Sequence, residues 1–361
     1  MPEDSSRMTQ AKSLKNSGTA SRALTPSKLG FRLVERALKS EFDSQFSRVE
    51  IEERQRKESP LKVLITGASG LVGTAATADF CSHGHTVARF VRPGGTADSG
   101  YVHWDPMAAV VDLTAMEGAD AVIHLSGAGI AETRWTQERK NLLRSSRLGS
   151  TRVLVDAVAR LQRKPRAFLA ASAIGYYGDC GEQVLTEASP NGAGFLAKLA
   201  RDWEAESLRA QSFGVRTVLL RFGMILSARG GALPKMLTPF KLGLGGRLGS
   251  GQQWMSWIAL EDVVGVIRAA IADERFSGAV NVVAPNPVQN AGFTRALASA
   301  LRRPALFPAP AFALRLVLGE VADELLLASQ RVQPVKLIEL GFRFRYPDLE
   351  HALRAIVIEP A

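Results

Sequence analysis

The stretch Leu61–Gly73, which reads Leu-Lys-Val-Leu-Ile-Thr-Gly-Ala-Ser-Gly-Leu-Val-Gly, constrains this chain more than any other. A short apolar run bounded by glycines is the pattern of a strand buried in a parallel sheet, and an apolar segment of helix length follows it. A strand therefore meets a helix across a glycine turn. Gly67 permits the tight turn, Gly70 lets a pyrophosphate approach the backbone, and Gly73 lets the new helix pack closely. The helix N-terminus offers its N–H groups to phosphate. Gly67, Ser69, Gly70, Leu71, Val72 and Gly73 are the candidate phosphate-side residues. The spacing is Gly-x-x-Gly-x-x-Gly, which meets the general dinucleotide fingerprint only approximately.

Strand and helix patterns then alternate for some 160 residues. Strands are expected at Thr86–Val91, Tyr101–Trp104, Ala121–Leu125, Arg166–Ala171 and Val215–Leu220. Helices are expected at Leu71–His83, Trp135–Arg163 and Phe195–Phe213, the second burying Leu142, Leu143, Val153, Val155, Val158 and Leu161. Such alternation forces parallel pairing through right-handed crossovers, so the fold class is α/β, a Rossmann doubly wound parallel sheet. A Gly- and Pro-rich region from Gly230 to Gly251 precedes Trp254–Ile258, after which Leu260–Ala272 reads as a helix and Ala279–Val283 as a late strand. The expected division is a disordered or helical extension over 1–60, a nucleotide-binding domain over 61–285 with a substrate-side segment near 230–258, and a smaller, mostly helical substrate lobe over 286–358. Within the extension, the apolar positions Phe31, Val34, Leu38, Phe42, Phe46 and Val49 recur at helical spacing.

Open α/β sheets bind ligands at the carboxyl ends of their strands, and the residues at those ends narrow the choice of cofactor. The second strand ends in Val91-Arg92-Pro93-Gly94-Gly95, with no acid before Asp98. An acid there would accept the ribose hydroxyls of NAD, whereas the Arg92 guanidinium can hold the 2′-phosphate of NADP. NADP is favoured over NAD. Leu125, Ser126, Gly127 and Ala128 end the fourth strand with small residues against which a cofactor can lie, and Arg221 ends a later one.

Composition excludes several other classes. A hydrophobic content of 46% suits a packed core, and two distant cysteines, Cys81 and Cys180, suggest neither a disulfide framework nor a zinc site. No metal is expected. The net charge of +10 is spread among acids, so a solvated basic surface is expected rather than a nucleic-acid partner. No apolar run reaches membrane-spanning length and the N-terminal stretch holds no apolar run of the leader type, so a cytoplasmic location and a small-molecule substrate, with no membrane partner, are expected.

From Leu61 to about Ile356 the chain resembles the extended short-chain dehydrogenase/reductases. Within them it is similar to an uncharacterised epimerase-like family of the NAD-dependent epimerase/dehydratase superfamily that ends in a C-terminal domain of unknown function. The resemblance rests on Thr66–Gly73, Arg134-Trp135, Ser172–Gly178, Asp202-Trp203-Glu204, Arg221-Phe222-Gly223, Gly249–Ile258 and Leu340-Gly341-Phe342. Ser126 departs from the Asn of the superfamily's Asn-Ala-Gly-type motif, and Ala259 stands where a His is expected.

The resemblance implies hydride or proton chemistry by a Ser, a Tyr and a Lys, the last two spaced Tyr-x-x-x-Lys. Lys198 fits, but four residues before it stands Gly194, so the phenol is missing. Three readings compete. Tyr176 or Tyr177 supplies the acid, with Ser172 and Lys198 assisting; or another group such as Glu187 or Arg221 does the chemistry; or the chain binds NADP and a ligand without turnover. Trp254 and Trp257 are either walls of a substrate pocket or packed core.

Overall fold

The computed structural model describes residues 60–92 and 100–358, so the helical pattern read over 29–49 lies outside the described residues. The chain enters through β1 (Lys62–Thr66), turns at Gly67 and continues as α1 (Leu71–Ser82). Then come β2 (Thr86–Val91), β3 (Tyr101–Asp105), β4 (Val110–Val111), a short α2 (Leu113–Met116) and β5 (Ala121–His124). The sheet is completed by β6 (Ala167–Ala173), β8 (Arg216–Phe222) and β12 (Gly278–Val282), while β7 (Val184–Leu185) lies outside it.

Eight strands form one sheet in the order β12-β8-β6-β5-β1-β2-β3-β4. All neighbours are parallel except the hairpin edge β4, which runs antiparallel to β3. This is the doubly wound arrangement that the alternation required. The chain leaves β1 toward β2 on one side and returns to β5 on the other. Alternation along β1 explains the two layers. Val63 and Ile65 join Phe80 of α1 and Val263 and Ile267 of α7 (Leu260–Ala272) on one face. On the other face Leu64 packs with Val122, Leu154, Val158 and Phe168.

The helix expected over Trp135–Arg163 is interrupted. It runs as α3 (Gln137–Arg144), a π-helical turn Ser145–Gly149 and α4 (Ser150–Arg160). Thr136 starts it by accepting the Arg139 N–H, which leaves Trp135 outside. Hydroxyls of Ser150 and Thr151 bond back to the carbonyls of Ser146 and Arg147 and widen the turn. Leu142 is 47% exposed whereas Leu143 is buried.

The helix α5 (Phe195–Leu208) crosses to β8, and β9 (Met224–Leu226) follows it. The Gly- and Pro-rich region hides a helix, α6 (Leu233–Lys241), whose Leu233, Leu237 and Phe240 are buried at helical spacing. Two short strands follow, β10 (Trp254–Met255) and β11 (Trp257–Ala259), which pair with β13 (Val288–Gln289) and β9 respectively. The C-terminal part is mainly helical: α8 (Asn290–Leu301), α9 (Ala311–Leu318), α10 (Val335–Glu339) and α11 (Leu349–Ile358), with β14 (Arg331–Val332) pairing β7. Phe293, Leu297, Leu349 and Leu353 close a core around Trp257. Among the described residues no helix is long and apolar enough to cross a membrane.

Gly73 is a position in the nucleotide turn where this architecture tolerates little change. A Cβ there would lie 2.2 Å from the Gly67 carbonyl oxygen and 2.7 Å from the Ala68 Cα, both backbone atoms that cannot swing aside. Gly149, in the widened turn, has helical φ and nothing within 4 Å of a Cβ. Gly73→Ala is expected to destabilise the protein by about 2–3 kcal/mol through overpacking. Gly149→Ala is expected to leave stability unchanged or raise it by up to about 1 kcal/mol. Urea unfolding of the two variants measures the contrast.

Candidate cofactor crevice and active site

The crevice lies where β1 and β5 part, at their carboxyl ends. Gly67 has φ +66°, and a Cβ on it would sit 2.9 Å from the Leu125 carbonyl group, so the glycine turn and the loop after β5 abut. The Thr66 hydroxyl fastens them. Its oxygen accepts the N–H groups of Leu125 at 3.1 Å and Ser126 at 3.3 Å, and it lies 2.7 Å from Nδ1 of the buried His124. Nε2 of His124 is 2.9 Å from the Thr151 hydroxyl. That hydroxyl donates to the Arg147 carbonyl and accepts the indole N–H of Trp203. With its one hydrogen committed, Thr151 can only accept from His124, so Nε2 carries the proton and Nδ1 accepts from Thr66. Burial pushes the imidazole down from 6.5 to about 3, consistent with one fixed neutral tautomer.

Gly70 is the N-cap of α1 with no side-chain cap, and the first turn of α1 contains no acid. Ser69, Gly70 and Gly127 are exposed, while Leu71, Val72, Leu125, Ser126 and Ala128 are half-buried along the same crevice. Gly73 is buried in the turn's own packing and is corrected from a ligand-side residue to a packing one. Arg92 is exposed directly after β2.

The far side of the crevice is built by the ends of β6, β8 and β12. Arg221 was a candidate cofactor ligand, but it is 4% exposed and consumed internally. Its Nε and Nη2 donate to the two carboxylate oxygens of Glu204 at 2.8 Å each, and its Nη1 donates to Tyr177 Oη at 2.9 Å. Burial works against the Arg221 charge, but the bonds and charge of Glu204 outweigh it and hold the guanidinium above its ordinary value. Ser172 is buried and donates to the same Glu204 at 2.6 Å, so its hydroxyl is directed away from chemistry. Glu187 accepts the main-chain N–H groups of Asn281 and Lys336 through Oε1.

The two tyrosines are not on extended chain. They end a 3₁₀ turn, Ile174–Tyr177, with the rings edge to face. Tyr177 is fully buried, and its hydroxyl donates to Asn281 Oδ1 at 2.6 Å. Burial raises its pKa, outweighing Arg221 and Asn281. Tyr176 is half-buried, with the Arg221 guanidinium 3.6 Å from its ring centroid. The structure thus separates the two candidates: Tyr177 is withdrawn into the core, and Tyr176 keeps an uncommitted hydroxyl.

Lys198 is exposed on α5 and joins neither tyrosine. Gly194, in the register of the missing phenol, has φ +104°, and a Cβ there would meet the Glu324 carboxylate at 3.0 Å. Glu324 accepts the N–H groups of Phe195 at 2.8 Å and Leu196 at 2.7 Å, so an acid from the C-terminal part caps α5. The sequence reading missed this cap, since no local pattern links residues so far apart. Trp257 is fully buried with its indole N–H on the Asn286 carbonyl, so it is core and not a pocket wall. Trp254 is half-buried, bonded to Glu182 and covered by Arg331.

Residues 63–283 match the NAD dependent epimerase/dehydratase family. The chain belongs to that family. Residues 309–356 match a domain of unknown function, DUF1731. Epimerase family protein Mb2239 of Mycobacterium bovis is 44% identical over 298 residues, spanning 82% of this chain and 98% of that protein. A crystal structure of human epimerase family protein SDR39U1 (isoform2) with NADPH superposes with a TM-score of 0.76 and 31% identity, covering 83% of this chain and 100% of that one. A nucleoside-diphosphate sugar epimerase from Corynebacterium glutamicum gives a TM-score of 0.69 and 37% identity over 82% of this chain and 58% of its own.

In this epimerase/dehydratase-family member the neutral His124 makes stability depend on pH. Its folded pKa lies below the free value, so the unfolded chain binds more protons between about 3 and 6.5. The contribution is complete above 6.5 and is lost as pH falls toward 3, with a slope of up to about 1.4 kcal/mol per pH unit. Urea unfolding at several pH values should show this slope in the parent protein and a shallower one in His124→Asn.

Proposed function

We propose that the chain is an NADP(H)-dependent oxidoreductase or epimerase acting on a small molecule that bears a hydroxyl or carbonyl group. The observation that carries this reading is the glycine turn at the point where β1 and β5 part, in a chain similar over its described core to a human protein crystallised with NADPH. The residues fit the group. Gly67 adopts a backbone conformation that side chains rarely take, and the N-terminus of α1 carries neither a side-chain cap nor an acid that would repel phosphate. Main-chain N–H groups of Ser69, Leu71 and Val72 would hold the pyrophosphate, Arg92 the 2′-phosphate, and Ser126–Ala128 would line the nucleotide.

A bound dinucleotide would supply or accept a hydride at the substrate carbon. The chain's part is to exchange the accompanying proton, and Tyr176 is the group left to do it. Its hydroxyl is uncommitted while those of Tyr177 and Ser172 are engaged, and the Arg221 guanidinium packed over its ring fixes its position. Lys198 is exposed and joins neither tyrosine, so it is not assigned the role that the Tyr-x-x-x-Lys pattern would give it.

A second reading, an NADP(H)-binding protein that senses or regulates without turnover, is favoured by one observation. The place of the missing phenol at Gly194 is taken by a helix-capping carboxylate. Following NADPH absorbance with a panel of carbonyl compounds separates the two readings: oxidation with any of them supports the enzyme, and binding without oxidation supports the sensor.

Arg92→Ala should weaken NADPH binding by roughly 1.5–3 kcal/mol, the range for a hydrogen bond to a charged group, and leave NADH nearly unchanged. Equal affinities of the parent protein for both cofactors, by nicotinamide fluorescence, would contradict the assignment. Tyr176→Phe should abolish turnover while keeping NADPH affinity and stability, because only the proton donor is lost. Tyr177→Phe should instead cost about 1–3 kcal/mol of stability by leaving the Asn281 carbonyl unpaired.

A further inference from the structure

The loop after β5 is backed by two arginines, and they are not equivalent. Arg139 pairs with Glu132 at 2.7 Å and also donates to the Gly129 carbonyl. Arg147, in the π-helical turn, is 6% exposed. Its guanidinium donates to the carbonyls of Ala128 at 3.1 Å and Leu143 at 3.3 Å and lies 5.2 Å from the Trp203 ring centroid. Among the described residues no carboxylate forms an ion pair with it. Burial, followed by the like charge of Arg139, pushes it down to about 10.

A buried cation without a counter-ion is the costly way to place an arginine, and this fold shows the ordinary way a few strands off, where Arg221 is equally buried but clasped by Glu204. The position of Arg147 explains the difference. Its Cζ lies 3.2 Å from where a Cβ on Gly127 would be, and Gly127 is exposed at the crevice. Only one thickness of main chain therefore stands between this charge and the crevice. On the opposite wall, the N-terminus of α1 presents its own positive pole at Gly70.

We propose that Arg147 is a positioning residue whose counter-charge is the dinucleotide itself: it anchors the Ser126–Gly129 loop and projects a positive potential through Gly127 onto the anionic cofactor. This rests on the reading that the crevice binds NADP(H). Because the guanidinium is shielded from solvent, its field is weakly screened and acts without direct contact. A side chain at Gly127 would press on the guanidinium and thicken the layer between charge and ligand.

The test compares Arg147→Lys, which keeps the charge and gives up the forked hydrogen bonds, with Arg147→Met, which keeps length and gives up the charge. NADPH dissociation constants are measured by nicotinamide fluorescence, and the melting temperature of each cofactor-free variant checks folding. The expected result is that Arg147→Met binds NADPH about tenfold more weakly while Arg147→Lys stays within about threefold of the parent. Equal losses in both variants would assign the role to the guanidinium's hydrogen bonds and overturn the proposal, as would unchanged affinity in Arg147→Met. Should Arg147→Met fail to fold, Arg147→Gln carries the same comparison. A parent protein that does not bind NADPH overturns the cofactor reading itself, whereas a binding parent with an indifferent Arg147→Met overturns only this inference.

Discussion

At the centre of the sheet, β1 and β5 pair with each other and send their chains in opposite directions, and one hydroxyl spans the gap that results. Thr66 accepts two N–H groups of the loop after β5 and donates to His124, which passes the constraint through Thr151 to Trp203 on α5. Every member of this line is fully or nearly buried. A buried polar chain is stabilising only when each donor and acceptor is matched, and here the matching leaves a single proton arrangement. The crevice walls are thereby fixed relative to the helix that passes behind them.

The acids and bases around the crevice divide into those that hold the protein together and those that are left free. Glu204 gathers Arg221 and Ser172 and so controls the ends of β6 and β8. Asp262, at the start of α7, is buried and accepts the N–H groups of Arg345 and Tyr346, tying the last helical region to the sheet. Ser256 and Gln253 do the same for the segment before α7, bonding to Gln330, Val332 and Leu326. The C-terminal part is therefore joined to the nucleotide-binding core by buried hydrogen bonds at several points.

The sheet was legible in the sequence because its signal is local: apolar runs of strand length, glycine turns and the spacing between them place β1, β2 and α7 almost to the residue. The glycine turn was legible for the same reason. What escaped was set by contacts between distant segments. Nothing near Tyr177 announces that Asn281 will take its hydroxyl, and nothing near Arg221 announces Glu204, so one tyrosine and the arginine read as available for chemistry. The widened turn at Ser145–Gly149 escaped because serine and threonine hydroxyls bonding back along a helix leave the apolar period almost intact. The helix α6 escaped because Pro234 and Pro239 read as breakers, although both are accommodated within it.

The cap of α5 has a consequence for the order in which the molecule can assemble. The N–H groups of Phe195 and Leu196 wait for a carboxylate 129 and 128 positions further along the chain. While the polypeptide is being made, the strands that flank α5 leave the ribosome long before Glu324 does. The nascent sheet must therefore hold that helix with its first turn unfinished, and the closing of so long a loop is an entropic cost met late. The emergence of Glu324, rather than formation of the neighbouring strands, is the event that finishes the first turn of this helix.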